Sequence, residues 1–216
     1  MHLLTTGATA APSHILLAHG AGAGSGSPFM TTMAELLAER GLSVHRFDFG
    51  YMAARATTGK RRPPPRAELL VAEYKAAITA ARALLPAGGR LLVGGKSMGG
   101  RVASLLADRA HAEGLVAGLV CLGYPFHPTG KPEQLRTEHL ARLACPALIV
   151  QGERDPFGNR DEVAGYTLSP AIALHWAADG DHDLGPRGAS GFTRRGNLTA
   201  AAAAIAAFAA SVGPAV

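Results

Sequence analysis

The sequence contains little cysteine, little charge and no long apolar run. Cys121 and Cys145 are its only cysteines, and they form no CxxC pair, which indicates reduced thiols in a cytoplasmic protein. The longest apolar run covers residues 200–210, eleven residues that are mostly alanine, whereas a membrane span needs about twenty strongly apolar ones. Residues 1–14 have neither a basic start nor a continuous apolar stretch. We therefore expect neither a transmembrane segment nor a secretory signal.

Charged residues make up 17% of the chain and aromatic residues 6%, against 48% hydrophobic residues. This balance excludes a disordered chain, which would need more charge and fewer apolar residues. The net charge of +5 comes from basic residues that are mostly scattered, so we expect no nucleic-acid partner and no membrane partner. A length of 216 residues is typical of one domain with one core, and we expect that domain to span residues 1–216.

Apolar runs of strand length alternate with stretches that carry apolar residues at helical spacing. The predicted strands cover residues 14–18, 43–47, 90–93, 115–122, 147–150 and 172–177. The predicted helices cover residues 28–39, 68–85, 98–112 and 198–211. Such alternation is typical of parallel strands that are buried under helices. The sequence thus predicts an α/β fold, a doubly wound and mostly parallel sheet with helices on both faces.

A serine flanked by glycines lies between the predicted strand 90–93 and the predicted helix 98–112. The motif G-x-S-x-G places Gly95 and Gly99 on either side of Ser97. A sharp strand-to-helix turn strains its central residue and brings the two flanking positions together, so both of them must be small. This turn would lift the Ser97 hydroxyl off the end of the sheet, above a helix N-terminus that favours a developing anion.

Two other interpretations of this motif stay open. Gly95, Lys96 and Ser97 resemble the end of the phosphate-binding loop GxxxxGK[ST], but that loop requires glycine at position 90, which is arginine here. Residues 90–93 also have the pattern of a strand where the phosphate loop should lie. The second alternative is an ordinary strand-helix junction with a surface serine.

A glycine-rich turn follows the predicted strand 14–18 and reads HGAGAGSG from position 19. Starting from Gly20 or Gly22, the third glycine of a dinucleotide fingerprint falls on serine, so that fingerprint fails. Glycines let the backbone approach a substrate oxygen closely, and the N–H groups of Ala21 and Met98 are the predicted pair of oxyanion donors. The alternative is a merely flexible loop.

A serine nucleophile needs a histidine base, and the base needs an orienting carboxylate. Among nine histidines, His182 lies in the polar loop DGDHD after the last predicted strand. Asp155 lies just past the predicted strand 147–150 and is the predicted carboxylate. We expect structural or solvated roles for the other nearby acids, namely Asp48, Asp181 and Asp183. The same expectation covers the other histidines, among them His19 and His175.

The chain order Ser97, Asp155, His182, with HG after an early strand and GxSxG after a central one, resembles the α/β-hydrolase superfamily. Over about residues 14–211 the chain is similar to small lidless members described as dienelactone-hydrolase-like. The resemblance implies a minimal α/β-hydrolase fold without a full cap domain, and these three residues as its catalytic triad. True dienelactone hydrolases use cysteine as the nucleophile, so the serine here argues against that substrate. The lipase motif HGGG is also absent.

The segment between Leu122 and Cys145 bears on the size of the substrate site. It has 22 residues, 123–144, which is too few for a full helical cap, so we expect an open site. Three residues in it are candidate apolar walls for the substrate, with core packing as the equal alternative. They are Tyr124, Pro125 and Phe126.

A basic segment follows the predicted strand 43–47, whose end faces the site in this fold. Its cations are Arg55, Lys60, Arg61, Arg62 and Arg66. We expect these charges to favour anionic substrates, such as carboxylate-bearing esters or acyl-phosphopantetheine thioesters, unless they only form a solvated face.

Together these features predict a serine hydrolase of carboxylic esters or thioesters that works through an acyl-enzyme intermediate. Ser97 attacks, His182 transfers the proton and Asp155 orients His182. The N–H groups of Ala21 and Met98 bind the oxyanion. The expected partner is a small-molecule ester or thioester, and no metal or organic cofactor is implied. The alternatives are a noncatalytic binding or scaffold protein with this fold, and an acyltransferase or perhydrolase with the same triad.

Overall fold

A computed structural model describes residues 2–59 and 63–213 of the chain. One sheet contains the strands β1 (Leu4–Thr6), β2 (Ser13–Ala18), β3 (Ser43–Phe47), β4 (Arg90–Lys96), β5 (Gly118–Leu122), β6 (Ala147–Gly152) and β7 (Ile172–Ala177). Their order across the sheet is β1-β3-β2-β4-β5-β6-β7. Strand β1 is antiparallel to β3, and all other neighbours are parallel. The predicted mostly parallel sheet is confirmed.

The central strands are apolar on both faces, which explains why they appear in the sequence as continuous apolar runs. In β2, Ile15 and Leu17 pack into the core on one face of the sheet, while Leu16 and Ala18 pack into the core on the other. Successive side chains of a strand point to opposite faces, so a strand covered on both sides needs apolar residues at every position.

Helices cover both faces of the sheet, as predicted. The helices are α1 (Pro28–Ala38), α2 (Gly50–Thr58), α3 (Val71–Arg82), α4 (Met98–Ala112), α5 (Arg160–Ala164) and α6 (Arg194–Ser211). Helices α1 and α6 bury their apolar residues in one core, and α3 and α4 bury theirs in the other. Two 3₁₀ turns, Ala67–Leu70 and Leu140–Arg142, complete the elements.

The apolar pattern misses three elements: β1, α2 and α5. Strand β1 has three residues and helix α5 has five, which is too short for a periodic pattern. Helix α2 begins at a glycine, a residue that disfavours helix. Helix α2 contains Arg55, at the start of the basic segment for which the sequence predicts no helix.

Several predicted boundaries differ from the structure; β4, for example, extends three residues further than predicted, to Lys96. Strand β5 begins three residues late, because the N–H of Leu115 donates to the carbonyl of Ala110 and so ends α4. Helix α6 begins four residues early, because the side chain of Thr193 caps the N–H of Gly196. The predicted helix 68–85 is divided into a 3₁₀ turn and α3.

The segment that could have held a cap contains only a 3₁₀ turn. This turn, Leu140–Arg142, is the one helical element of residues 123–144. The absence of a cap domain is thus confirmed. Within the described ranges no helix combines the length and the hydropathy that crossing a bilayer requires.

Candidate active site

Ser97 occupies the turn between β4 and α4. Its backbone has φ 51° and ψ −116°, a conformation that residues with a side chain rarely adopt. The N–H of Ser97 donates to the carbonyl of Leu122 in the neighbouring strand β5 over 2.8 Å. This bond to β5 holds the strained turn at the carboxyl end of the sheet.

The two glycines of the motif are required by close backbone contacts. A Cβ atom on Gly95 would lie 2.8 Å from the carbonyl carbon of Gly99, and on either glycine it would collide with the carbonyl oxygen of Ala18. On Gly99 it would also lie 2.6 Å from the carbonyl oxygen of His19. The turn therefore packs against the end of β2 through positions that accept only glycine.

The structure brings Ser97, His182 and Asp155 together at the carboxyl edge of the sheet. Their side chains follow β4, β7 and β6, respectively. The hydroxyl of Ser97 donates to Nε2 of His182 over 2.9 Å, and Nδ1 of His182 donates to Oδ2 of Asp155 over 2.8 Å. These bonds require the neutral imidazole with its proton on Nδ1, in which Nε2 can accept the serine proton.

The carboxylate of Asp155 is fully buried and has further donors besides His182. The backbone N–H of Phe157 donates to it over 2.9 Å, and Nε2 of Gln151 donates over 3.0 Å. The Oε1 atom of Gln151 in turn accepts the N–H of Tyr124 over 2.7 Å. This network satisfies the buried charge and directs one oxygen at His182. The sequence signal for Gln151 is a single polar residue in the apolar strand β6.

Lys96 is a site residue that sequence reasoning missed. It is only 6% exposed, and its Nζ donates to the carbonyl of His182 over 2.7 Å and lies 3.3 Å from Oδ1 of Asp183. Burial lowers the pKa of Lys96 below its ordinary value, and the carboxylates of Asp183 and Asp155 oppose that shift. The sequence signal that could have identified Lys96 is a charged residue at the end of an apolar strand, next to Ser97.

The predicted oxyanion donors, Ala21 and Met98, line the same cavity as Ser97. Met98 is the first residue of α4, where backbone N–H groups have no partner in the helix. The carbonyl of Ala21 accepts the hydroxyl of Tyr51 over 3.0 Å, which fixes this peptide unit on one side. Neither of the two N–H groups has a hydrogen-bond partner in the part of the chain that the structure describes.

The glycine-rich turn that carries Ala21 is held by side chains rather than being merely flexible. His19 is buried, its Nδ1 donates to the carbonyl of Gly20 over 2.6 Å, and its Nε2 accepts the N–H of Phe49 over 3.1 Å. Burial lowers the pKa of His19, in agreement with a neutral ring that both donates and accepts. Asp48 accepts the N–H of Ser25 over 2.7 Å at the far end of the turn.

The remaining candidates lie away from the Ser97 hydroxyl. Asp181 accepts the N–H groups of Asp183 and Gly185 and so shapes the loop of His182. His175 is half-buried within β7. No group of three or more His, Cys, Asp or Glu side chains among the described residues is placed to hold a metal ion.

Two cavities meet at Ser97, and Ala21 and Phe157 line both of them. The histidine-side cavity has a volume of about 510 Å³, and its other lining residues include Pro28, Phe29, Met30, Lys96, His182 and Asp183. The arginine-side cavity has a volume of about 600 Å³, and its other lining residues include Arg66, Glu68, Met98, Arg101, Pro125 and Arg136. The ring of Phe157 lies 4.4 Å from the imidazole of His182, measured between centroids.

Only one of the three candidate apolar walls borders a cavity. Tyr124 and Phe126 are fully buried in the core, whereas Pro125 lines the arginine-side cavity. Of the basic segment, Lys60, Arg61 and Arg62 lie outside the described residues. Arg55 donates to the carbonyl of Gly22 over 3.0 Å, and Arg66 borders the arginine-side cavity.

The chain has clear similarities to known proteins. Residues 11–210 match the family model described as an alpha/beta hydrolase domain. A dienelactone hydrolase from Anabaena variabilis is similar in structure, with 21% identity and a TM-score of 0.72 over 97% of this chain and 91% of that one. An alpha-beta serine hydrolase homologue from Coxiella burnetii has 19% identity and a TM-score of 0.67 over 95% of this chain and 89% of that one. A lidless serine hydrolase from Xanthomonas campestris has 20% identity and a TM-score of 0.60 over 91% of this chain and 83% of that one.

Proposed function

The chain belongs to the alpha/beta hydrolase domain family, and on that premise we propose that it is a serine hydrolase of carboxylic esters or thioesters. The observation that carries the proposal is the hydrogen-bonded chain from Ser97 through His182 to Asp155. It ends at a serine in a strained turn, beside two backbone N–H groups without partners among the described residues. This arrangement suits acyl transfer through a serine ester.

In the first half-reaction, the Ser97 Oγ attacks the carbonyl carbon of the substrate while its proton moves to Nε2 of His182. The carbonyl oxygen becomes an oxyanion, which accepts hydrogen bonds from the N–H groups of Ala21 and Met98. Collapse of this intermediate breaks the bond to the leaving alcohol or thiol, and His182 gives that group its proton. The products are the free alcohol or thiol and an ester of Ser97.

In the second half-reaction, a water molecule takes the place of the leaving group. His182 removes a proton from the water as it attacks the acyl carbon, and the same histidine then returns the proton to Ser97. The acid leaves and the enzyme is regenerated. Asp155 keeps its charge throughout and stabilises the imidazolium that forms twice in each cycle.

We also propose that the protein works in the cytoplasm. Cys121 and Cys145 are both buried and unpaired, and burial raises the pKa of the Cys145 thiol to about 12. Such thiols stay protonated and need no oxidising compartment.

Covalent labelling tests the proposed function directly. A fluorophosphonate probe is expected to label the wild-type protein at Ser97, and Ser97→Ala is expected to abolish labelling. The same variant is expected to lower kcat for a short p-nitrophenyl ester by about 10⁵- to 10⁶-fold. Ser211→Ala, at the exposed end of α6, is the matched control and should behave as the wild type.

A wild-type protein that is neither labelled nor active on a panel of esters and thioesters would favour the scaffold alternative. If labelling succeeds, added alcohols and hydrogen peroxide compete with water for the acyl-enzyme. If the main product is an ester or a peracid rather than the free acid, the activity is acyl transfer or perhydrolysis instead of hydrolysis.

A further inference from the structure

The wall of the arginine-side cavity carries an excess of positive charge close to Ser97. Three arginines and one glutamate line it, Arg66, Arg101, Arg136 and Glu68, so the wall has a net charge of +2. Arg66 and Glu68 are exposed, whereas Arg101 and Arg136 are partly buried. Partly buried charges are weakly screened by solvent, so their field acts mainly on what enters the cavity.

The two partly buried arginines are incompletely paired. One nitrogen of Arg101, Nη2, donates to Oε1 of Glu68 over 2.7 Å, but its Nε is buried without a hydrogen-bond partner among the described residues. The guanidinium of Arg136 forms no hydrogen bond or ion pair with any residue that the structure describes. Buried or half-buried cations usually have an anionic partner, because an uncompensated charge is costly to desolvate.

Burial lowers the pKa of Arg136 below its ordinary value, and the nearby charge of Arg101 lowers it further, whereas Tyr124 and the carboxylate of Glu68 only partly oppose this shift. Two guanidinium groups that repel each other beside an open cavity are both stabilised when an anion binds between or beside them.

The position of His182 decides which half of the substrate enters this cavity. His182 must protonate the leaving group, so the leaving group has to lie within its reach. That places the leaving alcohol or thiol in the histidine-side cavity, next to the apolar side chains of Phe29 and Met30. The charged side chains of this cavity are the ion pair of Lys96 with Asp183 and the exposed Arg194. The acyl chain then extends to the opposite side of Ser97, past Met98 and into the arginine-side cavity.

We propose that the acyl group of the substrate ends in a carboxylate, and that Arg136 and Arg101 bind this carboxylate in the arginine-side cavity. The substrate class is then a monoester or monothioester of a dicarboxylic acid. A guanidinium group matches a carboxylate with two parallel hydrogen bonds, which gives both affinity and orientation. This inference rests on the proposed function, and it adds Arg101 of α4 and Arg136, which precedes Leu140, to the predicted basic segment, whose Arg66 lines the same cavity.

Two pairs of esters test the inference, each pair differing only in a free or methylated carboxylate. The acyl pair is p-nitrophenyl hydrogen adipate and p-nitrophenyl methyl adipate. The leaving-group pair is 4-acetoxybenzoate and its methyl ester. We expect the wild type to prefer the charged member of the acyl pair in kcat/KM by about tenfold or more, and to show no such preference within the leaving-group pair.

Substitutions of Arg136 locate the preference. Arg136→Gln is expected to lower the acyl-pair ratio by about tenfold or more, mainly through KM for the charged ester. Arg136→Lys keeps the charge but not the two-pronged geometry, and should retain part of the ratio. Arg109→Gln, which removes an exposed arginine of α4 that lies outside this cavity, is the matched control and should leave the ratio unchanged.

Binding separates this inference from the proposed function. In the Ser97→Ala background, calorimetry with p-nitrophenyl hydrogen adipate measures affinity without turnover, and adding Arg136→Gln should weaken it about tenfold. Equal use of both acyl esters by an enzyme that fluorophosphonate labels would overturn the inference and leave the proposed function intact. A preference for charge in the leaving-group pair alone, or equal affinities with and without Arg136→Gln, would also overturn it.

Discussion

Asp155 determines which nitrogen of His182 carries the proton. Its Oδ2 accepts from Nδ1, so Nε2 is left free to face the hydroxyl of Ser97. The carboxylate is itself held by Gln151 and by the N–H of Phe157, so the whole arrangement is set before a substrate arrives. Such preorganisation avoids reordering polar groups during the reaction.

We predict that Asp155→Asn lowers kcat for a short p-nitrophenyl ester about 10⁴-fold, because an amide can stabilise the wrong tautomer of His182. Circular dichroism should show that the variant stays folded. Asp161→Asn, an exposed carboxylate of α5, is the control and should keep the wild-type rate. A loss smaller than about tenfold in Asp155→Asn would contradict the role proposed for this residue.

Lys96 holds His182 through its backbone carbonyl. Its buried ammonium donates to the carbonyl of His182 and pairs with Asp183, so it holds the loop in which the imidazole lies. The ring of Phe29 lies 5.4 Å from Nζ, and both side chains line the histidine-side cavity. The hydrogen bond to the carbonyl of His182 gives Lys96 a positioning role rather than a direct part in the chemistry.

We predict that Lys96→Met lowers kcat about tenfold or more with little change in KM, because the loop of His182 loses a charged hydrogen bond. The comparison variant is Asp183→Asn, which removes only the ion pair between Lys96 and the exposed carboxylate of Asp183. This variant should lower kcat less than Lys96→Met does. Steady-state kinetics with a neutral ester measures both constants. An unchanged kcat with a raised KM would show that Lys96 contacts the substrate instead.

At the scale of elements, α3 is joined to the sheet just below the nucleophile turn. The Tyr74 hydroxyl accepts the N–H of Gly94 over 2.8 Å, and the carbonyls of Gly94 and Leu16 lie 2.6 and 2.9 Å away to accept its proton. Tyr74 is fully buried, and burial raises the pKa of its hydroxyl. Helix α3 thus ties β2 to β4 three residues before Ser97.

We predict that Tyr74→Phe lowers the free energy of unfolding by about 1–3 kcal/mol, because it removes the buried hydrogen bonds of the hydroxyl with Gly94 and Leu16. Urea denaturation measures this change. The control is Tyr166→Phe, which changes a partly buried tyrosine outside the sheet and should lower the free energy of unfolding by less. If both variants unfold at the same urea concentration as the wild type, the hydroxyl of Tyr74 does not stabilise the sheet.

Across the whole molecule, a chain of hydrogen bonds joins three strands at the edge of the sheet opposite β7. Thr5 of β1 donates to Nδ1 of His45 in β3, whose Nε2 donates over 2.8 Å to Nδ1 of His14 in β2. Nε2 of His14 donates to the carbonyl of Ala11. With both imidazoles neutral, every one of these bonds is satisfied. Burial and the neighbouring His14 lower the pKa of His45 to about 4.

We predict that folding stability decreases as the pH falls from about 6.5 to about 4. In that window the unfolded histidine binds a proton that folded His45 does not, so the free energy of unfolding falls by up to about 3 kcal/mol. Urea denaturation at pH 7 and pH 4.5 should show a smaller decrease for His45→Gln than for the wild type. His2→Gln, an exposed histidine, is the control. Equal pH dependence in wild type and His45→Gln would contradict this account.

Local patterns in the chain were sufficient to predict the family and the architecture, both of which are confirmed. An apolar run at every position requires a strand covered on both faces, and glycines around Ser97 require a tight strand-to-helix turn. The predicted partners His182 and Asp155 follow from their places after strands. The hydrogen bonds from Ser97 to His182 and from His182 to Asp155 agree with that prediction, and the catalytic roles of these residues stay predictions. The short elements β1 and α5 were out of reach because periodicity needs more residues than they have.

Only the tertiary structure decided which side chains surround the nucleophile. Lys96 faces the loop of His182, and Arg101 and Arg136 meet beside Ser97, although Arg136 lies in a segment without regular apolar spacing. The prediction from the sequence named the cations of residues 55–66, of which Arg66 borders the same cavity. The reason is physical: periodicity and glycine turns are properties of neighbouring residues, whereas the lining of a cavity depends on strand order and helix packing. Those relations join residues far apart in the chain.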